Sequence, residues 1–265
     1  MSDENPVTYA VEAGVATITL NRPEGMNGLT IATKEALLDA VTRAADDTSV
    51  RCVVLTGSGR AFCVGQDLKE HVALLDAGSS DELFSTVEKH YNPIVTAIAT
   101  MPKPVIAAVN GVAAGAGASL AFACDLRIVA ESAGFNLAFP GVALSCDTGA
   151  SWTLPRLVGQ AKAMELLYFP STIASAEALT LGLATKVVAD ADLETEVTAL
   201  ATKLAAGPTL SYASIRQSVN YSAGHTFTES LEFEGSKMTL TGASNDHRVA
   251  VDAFIAKEKP TFTGT

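Results

Sequence analysis

Val105-Ile106-Ala107-Ala108-Val109-Asn110-Gly111-Val112-Ala113-Ala114-Gly115-Ala116-Gly117-Ala118-Ser119-Leu120 runs from five apolar residues, through glycine-punctuated turns, into a stretch of small side chains. The apolar run reads as a buried strand, and the stretch after Gly115 as a helix with a closely packed small-residue face. A second glycine turn lies upstream, Phe62-Cys63-Val64-Gly65-Gln66-Asp67-Leu68, and an isolated acid, Asp147, lies downstream. Glycine lets a backbone turn sharply and approach a ligand closely. Two such turns can aim two N–H groups at one point, which is how a protein stabilises a carbonyl oxygen that becomes negative during a reaction.

Working outward, strand and helix signals alternate through the first part of the chain. Val15 to Leu20 alternates and is β-branched, Thr33 to Ala45 carries Leu37, Leu38, Val41 and Ala45 at helical spacing, and Cys52 to Leu55 reads as a buried strand. Glu82 to Ala99 reads as a helix adjusted at Asn92-Pro93, and Leu126 to Val129 as another strand. Such alternation predicts an α/β fold with parallel strands. From about Asp192 the strand signals vanish. Leu193 to Ala205, Thr209 to Tyr221, Phe227 to Leu240 and Arg248 to Ile255 are helical by pattern, with a break at Gly207-Pro208.

Composition narrows the function. The chain has 265 residues, 48% of them apolar, enough for a substantial core. Its net charge of −11 argues against a nucleic-acid partner, including RNA binding as a second activity. No apolar stretch reaches bilayer length, so no membrane association is expected. The acidic start, Met1 to Asn5, lacks the signature of a secretory signal, and a cytoplasmic location is expected. Cys52, Cys63, Cys124 and Cys146 form no Cys-x-x-Cys pair, which predicts reduced thiols and no metal. A dinucleotide-binding reading of the Gly115 turn fails because Leu120 stands where a third glycine is needed.

The strings Leu20-Asn21-Arg22-Pro23 with Asn27 and Leu29, Ala61-Phe62-Cys63 with Gly65 to Leu68, Lys103 to Gly111, Ala253-Phe254 and Lys259-Pro260-Thr261-Phe262 occur in an order that resembles the crotonase superfamily of enoyl-CoA hydratases and isomerases. The resemblance implies a spiral of β-β-α turns over residues 1–195, holding a coenzyme A thioester site. It implies a C-terminal helical oligomerisation region over 196–265, building a trimer or a dimer of trimers. It places the two oxyanion donors at the backbone N–H groups of Gln66 and Ala116. The family usually has glycine at position 116, so Ala116 must avoid positive φ. Contacts to coenzyme A are implied for Arg22, Val64, Gly65, Asp67, Leu68, Gly115 and Lys257. Coenzyme A would be part of the acyl-CoA substrate, and no separate cofactor is expected.

The acid–base groups are the sharper signal. Crotonase hydratases use two glutamates, and the matching positions are Ser119 and Phe139. Adding water to a double bond needs groups that activate water and handle the proton at the neighbouring carbon. Asp147, within Leu144 to Trp152 and followed by Leu154-Pro155-Arg156-Leu157-Val158-Gly159, resembles the single acid of the epoxyphenylacetyl-CoA isomerase branch, with Cys146 in place of that branch's proline. On residues alone Asp147 serves equally well as a helix cap. Three functions follow in order: an isomerase with Asp147 carrying a 1,3 proton shift, an enoyl-CoA hydratase of fatty-acid β-oxidation, and a non-catalytic acyl-CoA binding protein. A dehalogenase reading is weaker, because His90 is out of register with that subfamily's histidine.

Overall fold

The computed structural model describes residues 5–78 and 80–265, with the side chains of 80–82 left undescribed. Ten strands and twelve α-helices are described. In chain order they are β1 (Val7–Glu12), β2 (Val15–Leu20), α1 (Ile31–Asp46), β3 (Cys52–Gly57), β4 (Ala61–Cys63), α2 (Leu68–Asp76), α3 (Ser80–Thr86), α4 (Asn92–Thr100), β5 (Val105–Val109), β6 (Val112–Ala114) and α5 (Ala116–Ala123). There follow β7 (Leu126–Ala130), β8 (Gly134–Asn136), α6 (Ala150–Val158), α7 (Gln160–Tyr168), β9 (Ile173–Ala174), α8 (Ser175–Thr180), β10 (Lys186–Val188), α9 (Leu193–Ala205), α10 (Thr209–Ser222), α11 (Phe227–Gly242) and α12 (Asn245–Ala256).

The strands form two sheets, one in the order β1-β2-β3-β5-β7-β10 and one in the order β4-β6-β8-β9. Strands β2, β3, β5, β7 and β10 are parallel, and so are β4, β6 and β8. The pairs β3–β4, β5–β6 and β7–β8 each give one strand to each sheet before the chain returns through helices. This is the expected spiral of β-β-α turns. It stacks the exits of β4 and β6 side by side, and those exits carry the two glycine turns.

Burial follows the residues. Ala16, Ile18 and Leu20 of β2 point inward, as its alternation predicts, while every residue of β5 is buried between layers. Helix α5 is buried along its whole length, which its Ala, Gly and Ser residues permit. Helix α1 is fixed at both ends. The Thr30 hydroxyl accepts from Thr33 N–H, the Glu70 carboxylate accepts from Ile31 N–H, and the buried Lys103 ammonium donates to the carbonyls of Ala44 and Asp47 at 2.7 and 2.8 Å. Lys103 of the Lys-Pro string is thus a cap.

Between α3 and α4, Val87–Tyr91 forms a π-helical turn immediately before Asn92-Pro93. Proline removes a donor and crowds the preceding turn, and the wider turn accommodates it. One consequence is that Tyr91 is turned inward and buried. At the C-terminal end, Leu193, Val197, Ala201 and Ala205 of α9 are part of the core. The boundary expected at 195/196 therefore falls inside a helix that packs on the sheet. The Arg216 guanidinium of α10 donates to Asp125 and to the carbonyls of Met101 and Ile98. By contrast α11 and α12 leave large apolar side chains exposed, among them Phe227, Met238, Phe254 and Ile255.

Candidate active site

The first turn is held by the loop before α1. Asn27, fully buried, donates to the carbonyls of Ser58 and Ala61 and accepts from Arg22 N–H. Leu29 N–H donates to the Gly65 carbonyl at 2.8 Å, and Asp67 N–H donates to the Leu29 carbonyl at 3.2 Å. This parallel bridge uses the groups on either side of Gln66. Gln66's own N–H is left facing away from Leu29. The Asp67 carboxylate caps α2 through Lys69 and Glu70 N–H and pairs with Arg22 at 3.0 Å. Burial pulls this carboxyl up, but the Glu70 N–H, Arg22 and the Lys69 N–H together hold it below the ordinary aspartate value.

The second turn is Gly115, with φ of 50°, leading into α5. The left-handed residue is Gly115, so Ala116 carries its methyl group without positive φ, as expected. Ala116 is the first residue of α5, where an N–H has no acceptor within the helix. Helix α5 also directs its positive dipole end at this point. The two turns touch. A Cβ added to Gly65 would lie 2.9 Å from the Ala114 carbonyl oxygen and 3.3 Å from the Ala116 nitrogen. Among the described residues, neither Gln66 N–H nor Ala116 N–H donates to a protein acceptor.

Both turns open on a cavity of about 500 Å³. Its walls are mainly apolar: Leu68, Val72 and Leu75 of α2, Leu83 and Phe84 of α3, Val87 and Tyr91 of the π turn, and Phe139, Val142 and Leu144 before Asp147. Asp147 is the one carboxylate among these lining residues. Burial pushes its carboxyl above the usual carboxylate range, against the pull of the Thr148 hydroxyl (2.8 Å), its own backbone N–H and the Lys34 charge. The capping alternative does not hold, because α6 has Gly149 at its N-cap and no side-chain cap. The segment is sharply turned, with Thr148 at φ of 51° and Gly149 at 78°. A β-branched residue in that region is an outlier that its surroundings must impose.

The other expected positions fall as follows. Ser119 is fully buried and its hydroxyl donates to the Gly115 carbonyl at 3.1 Å, while the Phe139 ring lines the cavity. Neither position presents a carboxylate. Val64, Gly65, Leu68 and Gly115 line the cavity. Arg22 donates to the Gly28 carbonyl at 2.6 Å and to Asp67, bonds that brace the loop. Lys257 caps the exposed end of α12 and is not among the lining residues. Burial pushes the Cys63 thiol, beneath the first turn, up to about 12, which removes it as a nucleophile.

Sequence reasoning missed the polar network behind Gln66. The Lys34 ammonium, on the buried face of α1, donates to Gln66 Oε1 at 3.1 Å and to Thr86 Oγ1 at 2.7 Å. The Tyr91 hydroxyl donates to the same Gln66 oxygen at 2.5 Å, and Thr86 Oγ1 lies 2.9 Å from His90 Nδ1. The available signal was spacing: 34, 37, 41 and 44 share one helix face, and three of the four residues are apolar.

Similarity to known proteins agrees with this geometry. The family described as Enoyl-CoA hydratase/isomerase matches residues 10–265. The 1,2-epoxyphenylacetyl-CoA isomerase of Escherichia coli K12 is 42% identical over 96% of this chain and 97% of its own length. A Rhodobacter capsulatus protein named "Probable enoyl-CoA hydratase" is 41% identical over 97% and 98%. Among solved structures, an enoyl-CoA hydratase from Bacillus anthracis superposes with a TM-score of 0.91 at 30% identity, covering 98% of this chain and 100% of that one. The chain belongs to the enoyl-CoA hydratase/isomerase family, within the crotonase superfamily.

Proposed function

We propose that the protein is an acyl-CoA isomerase in which Asp147 carries a proton between two carbons of a bound thioester. The thioester oxygen sits between Gln66 N–H and Ala116 N–H. Asp147 takes a proton from the acyl chain, the C–H electrons move onto the thioester oxygen, and the two N–H groups stabilise the enolate. The same carboxyl, now protonated, returns the proton two carbons away as the enolate electrons re-form the carbonyl. Burial raises the Asp147 carboxyl above the ordinary aspartate value, which makes its carboxylate the stronger base for the first step. The observation that carries the reading is the single carboxylate lining the cavity, with Ser119 and Phe139 at the two hydratase positions. The apolar walls suit a hydrophobic acyl group, and the ring-bearing substrate named for the Escherichia coli relative is the first candidate. No separate cofactor enters this mechanism.

The test is product analysis with purified protein and a panel of 3-enoyl-CoA, 2-enoyl-CoA and aryl-substituted thioesters. The reading expects double-bond or ring isomerisation to outpace hydration. Hydration as the faster reaction would select the hydratase alternative, and binding without any turnover would select the non-catalytic one. The same reading takes the chain as a homotrimer or dimer of trimers and as cytoplasmic. Its support for assembly is a cavity of about 830 Å³ lined by Ile215, Val219 and Met238, together with the exposed Phe254 and Ile255. A monomeric mass by light scattering would contradict the assembly.

A further inference from the structure

Lys34 poses a physical problem. It lies on a helix face shared with Leu37, Val41 and Ala44, is 1% exposed, and takes part in none of the ion pairs among the described residues. Burying an ammonium without a paired carboxylate is costly, so such a group needs compensation from nearby. Three carboxylates act on it: Glu70, Asp147 and Asp67. Two of them are already occupied. Glu70 accepts from Ile31 N–H, and Asp67 accepts from Arg22 and the first turn of α2. Asp147 accepts from the Thr148 hydroxyl, and the Lys34 charge acts on it.

We propose that Lys34 is a positioning residue of this site: its buried ammonium pins Gln66, whose N–H is one oxyanion donor, and supplies the fixed positive charge facing both Asp147 and the enolate oxygen. The inference rests on the isomerase reading above. Gln66 Oε1 takes one hydrogen bond from Lys34 on α1 and one from Tyr91 on the π turn, so two elements hold this residue. Thr86 Oγ1 anchors the ammonium from a third side. During proton removal the negative charge leaves Asp147 and appears on the thioester oxygen. A cation bonded to Gln66 and acting on Asp147 favours negative charge at both positions, with no reorganisation. A second cavity of about 190 Å³ is lined by Lys34, Gln66, Thr86, Glu35, Lys89 and His90. Gln66 and Thr86 of this network line both cavities.

The test separates charge from scaffold. Besides Lys34, the titratable groups near Asp147 are Tyr91 from the π turn and His71 from α2, and those near Lys34 also include His90. Asp147 is titrated by carbon NMR of protein labelled at aspartate carboxyls, its signal assigned from Asp147→Asn. In Lys34→Met the midpoint should move to higher pH, because a favourable cation is gone, and Lys34→Arg should return it toward wild type. With substrate, Lys34→Met should lower kcat about a hundredfold with KM near wild type, the effect of misplacing a transition-state donor. If the methionine variant fails to fold, Lys34→Gln carries the same expectations. An unchanged Asp147 midpoint, or a kcat within about twofold of wild type, overturns the proposal. A wild-type protein inactive on every thioester would defeat the isomerase reading instead, and the substrate-free titration would still decide whether Lys34 acts on Asp147.

Discussion

A methyl group added at Gly65 would strike the contact on which the proposed oxyanion site depends. Gly65 has φ of 84°, where an L side chain costs about 1–2 kcal/mol. The new Cβ would also sit 2.9 Å from the Ala114 carbonyl oxygen and 3.3 Å from the Ala116 nitrogen, so the two turns must part by a few tenths of an ångström or more. For a chain of this size the backbone cost alone lowers Tm by about 2–8 °C. The separation acts on the geometry of both N–H donors at once, and displaced donors of this kind cost on the order of a hundredfold in kcat. Gly65→Ala should therefore remain folded, melt lower, bind acyl-CoA and turn over about a hundredfold more slowly. The assays are calorimetry, a thermal melt and isomerisation kinetics. Gly224→Ala is the control, since a Cβ there meets nothing within 4 Å and φ is not positive. A Gly65→Ala enzyme with wild-type kcat and a depressed Tm would refute the assignment of these turns.

Other consequences follow from the same structure. Asp147→Asn should lower turnover at least about a hundredfold while leaving acyl-CoA affinity largely intact, as read by kinetics and calorimetry. Because burial holds the Asp147 carboxyl above its unfolded value, the wild type pays for a buried charge at neutral pH. Asp147→Asn should then raise Tm at pH 7, and the gain should vanish as pH falls through the ordinary aspartate range, where both side chains are neutral. The acid limb of kcat/KM should lie above the ordinary aspartate value, since Asp147 must be ionised to act as base; a limb at or below that value would argue against it. Lys103→Met removes two charge-assisted hydrogen bonds from the end of α1 and should cost about 2–3 kcal/mol in chemical denaturation without changing the pH profile.

Much of the spiral was legible in the residues, because long buried strands and amphipathic helices have periods. The alternation of Val15 to Leu20 and the apolar run Val105 to Val109 placed two strands of the larger sheet. The smaller sheet was not legible. Strands β4, β6 and β8 have three residues each, too few to show any period, and the parallel partners that define them are far apart in sequence. At the site, Gly65, Gly115 and Asp147 could be found because a turn or an unpaired acid stands out locally. Thr86 and Tyr91 could not, since their partners Lys34 and Gln66 lie across the fold, and Lys34 showed only as a cation on an apolar helix face. Arg22 stood out as a cation beside a ligand loop, but its bracing bonds to Gly28 and Asp67 join residues that only the fold brings together.

The account stands on proton transfer by Asp147 at a carbon beside the thioester, and deuterium incorporation measures that step. The protein is incubated with an acyl-CoA substrate in D₂O, and the recovered thioester is analysed by mass spectrometry and NMR for label at the α and γ carbons. The wild type should wash deuterium into these positions faster than it adds water to the double bond, and Asp147→Asn should incorporate almost none. Label entering at the wild-type rate in Asp147→Asn, or hydration without exchange in the wild type, would contradict the account.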